Sequence, residues 1–435
     1  MSGYIQKLTD SMTNLISELS KNPSLFLKNP KKDFTRNRKI DFKTLVGIIM
    51  NSSGGTMKKE LLEYFDFDVN TPTVSAFSQQ RSKVLPDAFE YLFKAFTEEN
   101  LPNSKDFNGY TLIACDGSNL SIATNPNDPE TAWKNNQHGD IMNKFHLNAF
   151  YDISNRIYTD VLIQTAAEYN ETRACVTMLD RSPLKKVILM ADRGYENYNI
   201  MAHAINKEWK FIIRIKDINS SGIASGLKLP KCDEFDKDIT LTFTRKNTKE
   251  TRIAGYKWMP TNQMFDYLPP QSKETYELSF RIVRFPIGEG SYEMIVTNLD
   301  RVQFSIEKIK EIYHLRWGIE TSFRELKYAV GMANFHARKP DYIKQEIYAR
   351  LLLYNYCELI TTHTVQHMKK KDKTKQVNFT IAIYICREYL RRKRNLSPPD
   401  VIKLIEKNIL PVRPGRKDPR KVKAQASVSF LYRIA

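Results

Sequence analysis

Hydrophobic residues recur at helical spacing through the first hundred residues of the chain. This spacing predicts a helical N-terminal domain over residues 1–105, with helices at Tyr4–Leu19, Phe42–Met50, Met57–Phe65 and Val74–Phe96. The last helix follows a turn at Thr71-Pro72-Thr73 and carries the polar residues Ser75, Ser78, Gln79, Gln80, Arg81 and Lys83. Two helices around a short turn are typical of a DNA-reading unit. The same pattern fits any helical bundle, so both interpretations stay open.

The pattern changes at Tyr110, where short apolar runs replace the helical spacing. Strands are predicted at Tyr110–Cys115, Lys144–Asp152, Arg156–Ile163, Val187–Ala191 and Phe211–Ile215. Helices are predicted between the last three strands, at Glu171–Arg181 and Asn197–Glu208. This order of elements predicts an α/β fold, with a mixed sheet and flanking helices. It is the element order of the RNase H-like fold, which we expect over residues 106–340.

Residues 217–292 interrupt this α/β pattern. They contain two alternating segments, Ile239–Phe243 and Tyr276–Ile282, which predict a β-rich insertion. The core resumes at Met294–Val296 and continues into one long helix, Ser305–Val330. Residues 341–435 are expected to form a basic helical C-terminal region, with helices at Tyr342–Ile360 and Thr380–Leu390 and a basic arm at Pro411–Lys417.

Positive charge exceeds negative charge, most strongly near the C-terminus. The chain has 67 Lys and Arg against 49 Asp and Glu, a net charge of +18. Residues 364–435 alone hold 19 Lys and Arg against 5 Asp and Glu, with clusters at Lys369–Lys371 and Arg391–Arg394. Such clusters can be solvated faces, but basic proteins also bind nucleic acids by releasing the counterions around phosphates. The charge therefore favours a nucleic-acid partner.

The cysteine pattern argues against disulfides and zinc. The five cysteines, Cys115, Cys175, Cys232, Cys357 and Cys386, are scattered and form no Cys-x-x-Cys pair. We expect reduced thiols in a cytoplasmic protein. His363 and His367 lie four residues apart but lack a third ligand nearby, which favours a surface pair over a metal site. The N-terminus lacks a signal peptide's apolar stretch, and no run of 18 apolar residues predicts a membrane span.

Two aspartates follow predicted strands of the core. Asp116 comes directly after Tyr110–Cys115, and Asp192 directly after Val187–Ala191. An Asp before Gly is commonly only a turn residue, yet these two strand ends lie side by side in the expected fold. Two-metal cleavage of phosphodiesters needs carboxylates around two ions about 3.5–4 Å apart, and Mg²⁺ prefers oxygen ligands. Asp116 and Asp192 are therefore candidate metal ligands.

A third carboxylate, Glu320, lies on the predicted long helix. Tyr313, Arg316, Glu320 and Lys327 fall within one narrow stripe beside the apolar face of that helix. A surface helix with an ion pair between Arg316 and Glu320 is the simpler interpretation of these two residues. It does not explain why a tyrosine and a second cation share the stripe.

The pattern Tyr-x2-Arg-x3-Glu-x6-Lys at Tyr313, Arg316, Glu320 and Lys327 resembles the signature of bacterial insertion-sequence transposases of the DDE class. The segments Asp116–Ser118 and Asp192–Tyr195 resemble the first and second acidic motifs of that family. The resemblance covers about residues 105–340. It implies that Asp116, Asp192 and Glu320 are catalytic residues that bind two Mg²⁺ ions, with Mn²⁺ as a substitute.

The resemblance also implies DNA contacts. Tyr313, Arg316 and Lys327 would hold phosphates of the transposon end, and Arg193 in the second acidic motif would contact DNA. Trp258 in the insertion is a candidate for stacking on a flipped base, although a large aromatic side chain commonly packs inside its own domain. Residues 1–105 would then form a DNA-binding domain.

The implied function is cut-and-paste DNA transposition. Family members cleave at transposon inverted repeats, transfer the 3′-hydroxyl into target DNA, and work as homodimers in a synaptic complex. We therefore expect a bacterial protein associated with the nucleoid. Two alternatives use the same fold: an inactive DNA-binding repressor derived from a transposase, and a structure-selective nuclease. A repressor needs no metal-binding carboxylates, and a nuclease joins no strands.

Overall fold

A computed structural model describes residues 2–101, 107–134, 141–367, 375–391 and 400–412. The predicted basic segments at Lys369–Lys371, 392–394 and 413–417 lie outside these residues.

Each helical region predicted from the sequence overlaps at least one helix of the described chain. The described helices are α1 (Ser2–Lys21), α2 (Phe42–Asn51), α3 (Met57–Tyr64), α4 (Val74–Arg81), α5 (Asp87–Glu99), α6 (Glu171–Arg181), α7 (Tyr198–Asn206), α8 (Lys249–Ile253), α9 (Ile306–Leu315), α10 (Trp317–Tyr328), α11 (Pro340–His367), α12 (Phe379–Arg391) and α13 (Val401–Lys407). Within the described ranges, none of them combines the length and apolar composition that a bilayer crossing requires.

The strands begin after the first five helices. They are β1 (Thr111–Ile122), β2 (Ala132–Lys134), β3 (Ile141–Asp152), β4 (Ile157–Thr165), β5 (Val187–Ala191), β6 (Lys210–Ile215), β7 (Phe235–Thr244), β8 (Lys257–Trp258), β9 (Thr275–Gly288), β10 (Ser291–Thr297), β11 (Lys375–Val377) and β12 (Ile409–Pro411). Short 3₁₀ turns lie at Pro23–Phe26, Arg193–Tyr195 and Ile223–Gly226.

Ten of the described strands form one mixed sheet. Its order is β2-β3-β1-β5-β6-β10-β9-β7-β8, and β4 pairs with the part of β3 that β2 leaves free. Strands β1, β5 and β6 run parallel to one another, whereas β3 pairs antiparallel with β1 and β4. The prediction of a mixed α/β sheet is confirmed.

Helices cover both faces of this sheet. Alternate residues of a strand point to opposite faces, so Ala114 and Met190 pack in the core formed with the N-terminal helices and α9–α13. Cys115 and Leu189 pack on the other side, with α6 and α7. The sheet thus separates two layers of helices. The alternation along β1 and β5 shows which of their residues face α10.

The predicted long helix Val74–Phe96 is wrong, because it is divided into α4 and α5. Pro86 lies at the break and lacks the backbone N–H that a continuing helix would need. The residues before it make other hydrogen bonds: Lys28 N donates to Lys83 O, and Leu85 N donates to Phe26 O. Within this segment, Val84 forms an antiparallel bridge with Leu27 instead of continuing the helix.

The region predicted as a β-rich insertion contributes to the main sheet. β9 pairs with β10 on one side and with β7 on the other, and β8 follows β7. The strands of this region extend the core sheet beyond β10 by direct hydrogen bonding.

A buried ionic cluster joins the N-terminal helices to α11. Arg81 Nη1 lies 2.9 Å from Glu346 Oε1, and Arg350 Nη2 lies 3.1 Å from Glu346 Oε2. His336 bridges this cluster to α3, with its Nε2 3.1 Å from Glu60 Oε2. Burial opposes the ionisation of Glu346, but the neighbouring Arg81, His336 and Arg350 hold its pKa well below the usual range.

Arg81 therefore binds within the protein, although the sequence placed it among the residues displayed by a DNA-reading helix. Gln80 is also buried. Ser75, Ser78 and Gln79 remain exposed on α4. The N-terminal helices thus pack as a bundle against α11, and α4 still presents a polar face.

Candidate active site

Asp116 lies within β1, at the point where the neighbouring β5 ends. The sequence predicted that this strand stops at Cys115, but β1 continues to Ile122 because residues 113–122 pair with β3. Pairing with β5 covers only Thr111–Cys115, and Cys115 is opposite Ala191. The next residues on the two parallel strands are Asp116 and Asp192, so the register makes them neighbours on the face towards α10.

Backbone amides hold one oxygen of each aspartate. Asp116 Oδ1 accepts a hydrogen bond from Gly117 N at 2.8 Å. Asp192 Oδ1 accepts one from Gly194 N at 2.8 Å and so caps the 3₁₀ turn Arg193–Tyr195. The turn ends the strand directly after Ala191 and fixes where the Asp192 carboxylate stands.

Glu320 reaches the site from α10, which packs against β1. Ile319, Phe323 and Leu326 anchor this helix in the core. The predicted single helix Ser305–Val330 is wrong in one respect, because α9 and α10 are separate helices that meet at Arg316. Arg316 N donates to Tyr313 O and Ile319 N donates to Arg316 O, both at 3.1 Å, which tightens the chain into three-residue turns at the junction.

Asp192 and Glu320 both affect the electrostatic environment of Asp116. Burial, together with the negative charges of Asp192 and Glu320, raises the pKa of Asp116 to about 6, against the opposing effects of the Gly117 N–H and Arg316. Folding thus brings negative charges together in a partly buried site, where a bound cation would reduce their repulsion. That these three residues together bind metal stays a prediction.

Arg316 lies between two of these carboxylates. Its Nη2 is 3.1 Å from Glu320 Oε1, and its Nη1 is 3.9 Å from Asp116 Oδ2. The side chain is only 5% exposed. Its guanidinium carbon lies 5.6 Å from the ring centroid of Tyr313 and 5.5 Å from that of Trp317. In the part of the chain that the structure describes, no three His, Cys, Asp or Glu side chains are arranged to hold one metal ion as they stand.

The other predicted DNA-contacting residues differ in exposure. Lys327 is partly buried, which lowers the pKa of its ammonium group. Arg193 is exposed in the turn that follows Asp192. Trp258 is 47% exposed at the outermost strand of the sheet, so its ring is not fully used for packing.

Three residues near the site were missed by the sequence analysis. Trp317 directly follows Arg316 and is 49% exposed. Its position beside the arginine of the signature could have marked it as a candidate site residue. On the opposite face of the sheet, buried His146 pairs with Glu171 at 3.0 Å and with Asn119 Oδ1 at 2.9 Å. His146 and Glu171 are distant along the chain, so only folding reveals their position behind Gly117.

Gly117 has no room for a side chain. A methyl group there would lie 2.6 Å from Glu171 Oε1 and would also collide with His146 Nε2. We expect Gly117→Ala to destabilise the protein by about 1–3 kcal/mol, because buried groups would have to move. The free energy of unfolding in urea measures this effect.

Gly288 is the matched control for Gly117→Ala. It also lies in a strand, but a methyl group there would meet no atom within 4 Å. Gly288→Ala should leave the free energy of unfolding nearly unchanged. Equal stability of the two variants would show that the His146–Glu171 pair does not pack tightly behind β1.

Residues 107–356 match the family described as "Transposase DDE domain". This match covers more than half of the chain, and it includes β1, β5 and α10. The chain belongs to the family of transposase DDE domains.

Individual relatives are similar over short segments. The putative transposase InsL for insertion sequence element IS186A of Escherichia coli K12 is 34% identical over 73 residues, or 17% of this chain. The transposase for insertion sequence element IS421 of E. coli matches to the same extent. The chain spans only a fifth of the length of these curated relatives. A piggyBac transposase synaptic complex with hairpin DNA aligns over 95% of this chain and 87% of its own, with a TM-score of 0.46 and 10% identity.

Proposed function

We propose that the protein is a DNA transposase that cleaves at transposon ends and transfers the resulting 3′-hydroxyl into target DNA. Asp116, Asp192 and Glu320 are its catalytic carboxylates. The observation that carries the proposal is their convergence at the end of β5, where each of the other two raises the pKa of Asp116. Membership in the transposase family supports the same activity.

The arrangement of strands supports an RNase H-like core. Strands β4, β3, β1, β5 and β6 are consecutive in the sheet, with β3 and β4 antiparallel and β5 and β6 parallel to β1. This is the layout expected from the sequence order of the elements. The two aspartates come from the adjacent strands β1 and β5 at its centre, and the glutamate comes from a helix on one face.

The donor set fits divalent metal ions. Asp116, Asp192 and Glu320 offer carboxylate oxygens, the ligands that Mg²⁺ and Mn²⁺ prefer. Burial is the main cause of the raised pKa of Asp116, and the negative charges of Asp192 and Glu320 add to it. Two bound ions would supply Lewis acidity for phosphodiester chemistry. Glu320 and Asp116 must release Arg316 to complete such a site.

The remaining signature residues are suited to hold DNA. Arg316 presents a planar fork that matches a phosphate, while Lys327 provides a point charge on the same helix. Arg193 lies next to Asp192, where it would contact the DNA backbone near the cleaved phosphodiester bond. Trp258 is exposed and available for stacking on an unpaired base. A homodimer that bridges two transposon ends is the proposed working form.

Excision from a plasmid tests the proposed function. The full-length protein is incubated with Mg²⁺ and a supercoiled plasmid that carries the terminal inverted repeats of its own element. We expect excision of the element and its insertion into a second plasmid, detected by gel electrophoresis and by sequencing the junctions. Chelation of the metal should stop both steps.

Two other outcomes would contradict the proposal. Tight binding to the repeats without strand breakage identifies a repressor. Nicking without junctions between element and target DNA identifies a nuclease.

A further inference from the structure

Arg316 makes contacts that conflict with the proposed metal site. Its guanidinium group is almost fully buried and pairs with Glu320 and Asp116, two of the three proposed ligands. Both contacts place a fixed positive charge where the carboxylates would otherwise face a cation. The sequence explained Arg316 only as a phosphate contact or as the partner of an ordinary surface ion pair.

The guanidinium group is also poorly satisfied where it lies. Its Nε and Nη1 atoms are buried and have no hydrogen-bond partner among the described residues. A buried donor without an acceptor costs free energy, and two of them on one side chain are unusual. Charge attraction thus holds Arg316 in its place, while two of its donors have no acceptor among the residues that the structure describes.

A DNA phosphate has the chemistry to satisfy those donors. Its two non-bridging oxygens accept parallel hydrogen bonds from the arginine fork, a stronger interaction than a single charged hydrogen bond. A phosphate that binds Arg316 weakens its attraction to Glu320 and Asp116. The same carboxylates can then bind a divalent cation.

We propose that Arg316 exchanges between the catalytic carboxylates and a DNA phosphate, so that it competes with metal in the free protein and makes metal and DNA bind cooperatively. This inference rests on the proposed function. It assigns Arg316 as a positioning residue that keeps the metal site closed until DNA arrives. Free transposase would then hold little metal, and the site would form on the DNA end.

Metal binding without DNA tests the competition. Mn²⁺ is titrated into the full-length protein, and free Mn²⁺ is measured by electron paramagnetic resonance. We expect Arg316→Gln to bind Mn²⁺ about tenfold more tightly than the wild type, because the carboxylates lose their internal cation. Arg316→Lys, which keeps the charge without the fork, should fall between the two. Thermal melting confirms that each variant is folded.

The second measurement adds a DNA duplex that carries the terminal repeat of the element, under conditions in which the duplex is not cleaved. DNA should raise the Mn²⁺ affinity of the wild type, and Mn²⁺ should raise the DNA affinity by the same factor. In Arg316→Gln this coupling should fall about tenfold, because the DNA-free variant already binds metal well. Arg252→Gln removes a charge from an exposed arginine in α8 and should behave as the wild type.

The outcomes separate this inference from the proposed function. If Asp192→Asn weakens Mn²⁺ binding while Arg316→Gln leaves it unchanged or weaker, the metal site stands and the exchange of Arg316 is wrong. If Asp192→Asn binds Mn²⁺ as tightly as the wild type, the proposed metal site itself is wrong.

Discussion

Asp192→Asn is expected to slow Mg²⁺-dependent excision by at least about a thousandfold, since metal-assisted phosphodiester chemistry gains several kcal/mol from correctly held ions. The substitution keeps the size of the side chain and the oxygen that accepts from Gly194 N, so the 3₁₀ turn after β5 should persist. What it removes is one negative charge beside Asp116. The excision rate from a plasmid carrying the inverted repeats measures the effect.

Asp238→Asn is the matched control for Asp192→Asn. Asp238 is an exposed residue of β7 that pairs with Arg301 at 2.9 Å, far along the sheet from β5. Its substitution should leave the excision rate within about twofold, because exposed ion pairs contribute little. Binding of the inverted repeats should survive in both variants. Excision by Asp192→Asn at the wild-type rate would remove Asp192 from the catalytic set.

Glu346→Ala is expected to reduce the free energy of unfolding by about 3–5 kcal/mol, the usual cost of breaking a buried ion pair on one side. Glu346 is 1% exposed and binds two arginines, and it also accepts hydrogen bonds from the backbone N–H groups of His336 and Ala337. Its loss removes the carboxylate that both Arg81 and Arg350 bind in the protein interior. Denaturation in urea, followed by circular dichroism, measures the change.

Glu311→Ala is the matched control for the loss of Glu346. Glu311 is 60% exposed on α9 and pairs with Lys308 at 2.8 Å. Removing this surface pair should cost about 0–0.5 kcal/mol. If the two variants are equally stable, the ionic cluster does not hold the N-terminal helices to α11.

The sequence predicts the elements of the core well, because their hydrophobic pattern is local. The run Val187–Ala191 is apolar at every position and folds as β5 with those bounds. The register of β5 with β1 then brings Asp192 beside Asp116, as expected from two strand ends in this fold. The extension of β1 to Ile122 could not be predicted, because Gly117, Ser118 and Asn119 interrupt the apolar run and only pairing with β3 maintains the strand.

Contacts between distant segments account for most of the other differences. Arg81 was taken as a possible DNA contact because its partner Glu346 is 265 residues away. The proximity of Arg316 to Asp116 likewise depends on packing of α10 against β1. The break between α4 and α5 is different, since Pro86 was visible in the sequence and predicts the end of a helix.

The ionic cluster between α4 and α11 has a consequence for protein synthesis. Ribosomes add about 5–20 residues per second, so Glu346 follows Arg81 out of the ribosome after roughly 13–53 s, given the 265 residues between them. During that interval the first helices lack the charge that neutralises Arg81 and the apolar surface of α11. Until α11 (Pro340–His367) has been translated, the N-terminal helices of a nascent chain therefore keep exposed the charge and the apolar surface that α11 covers in the folded protein.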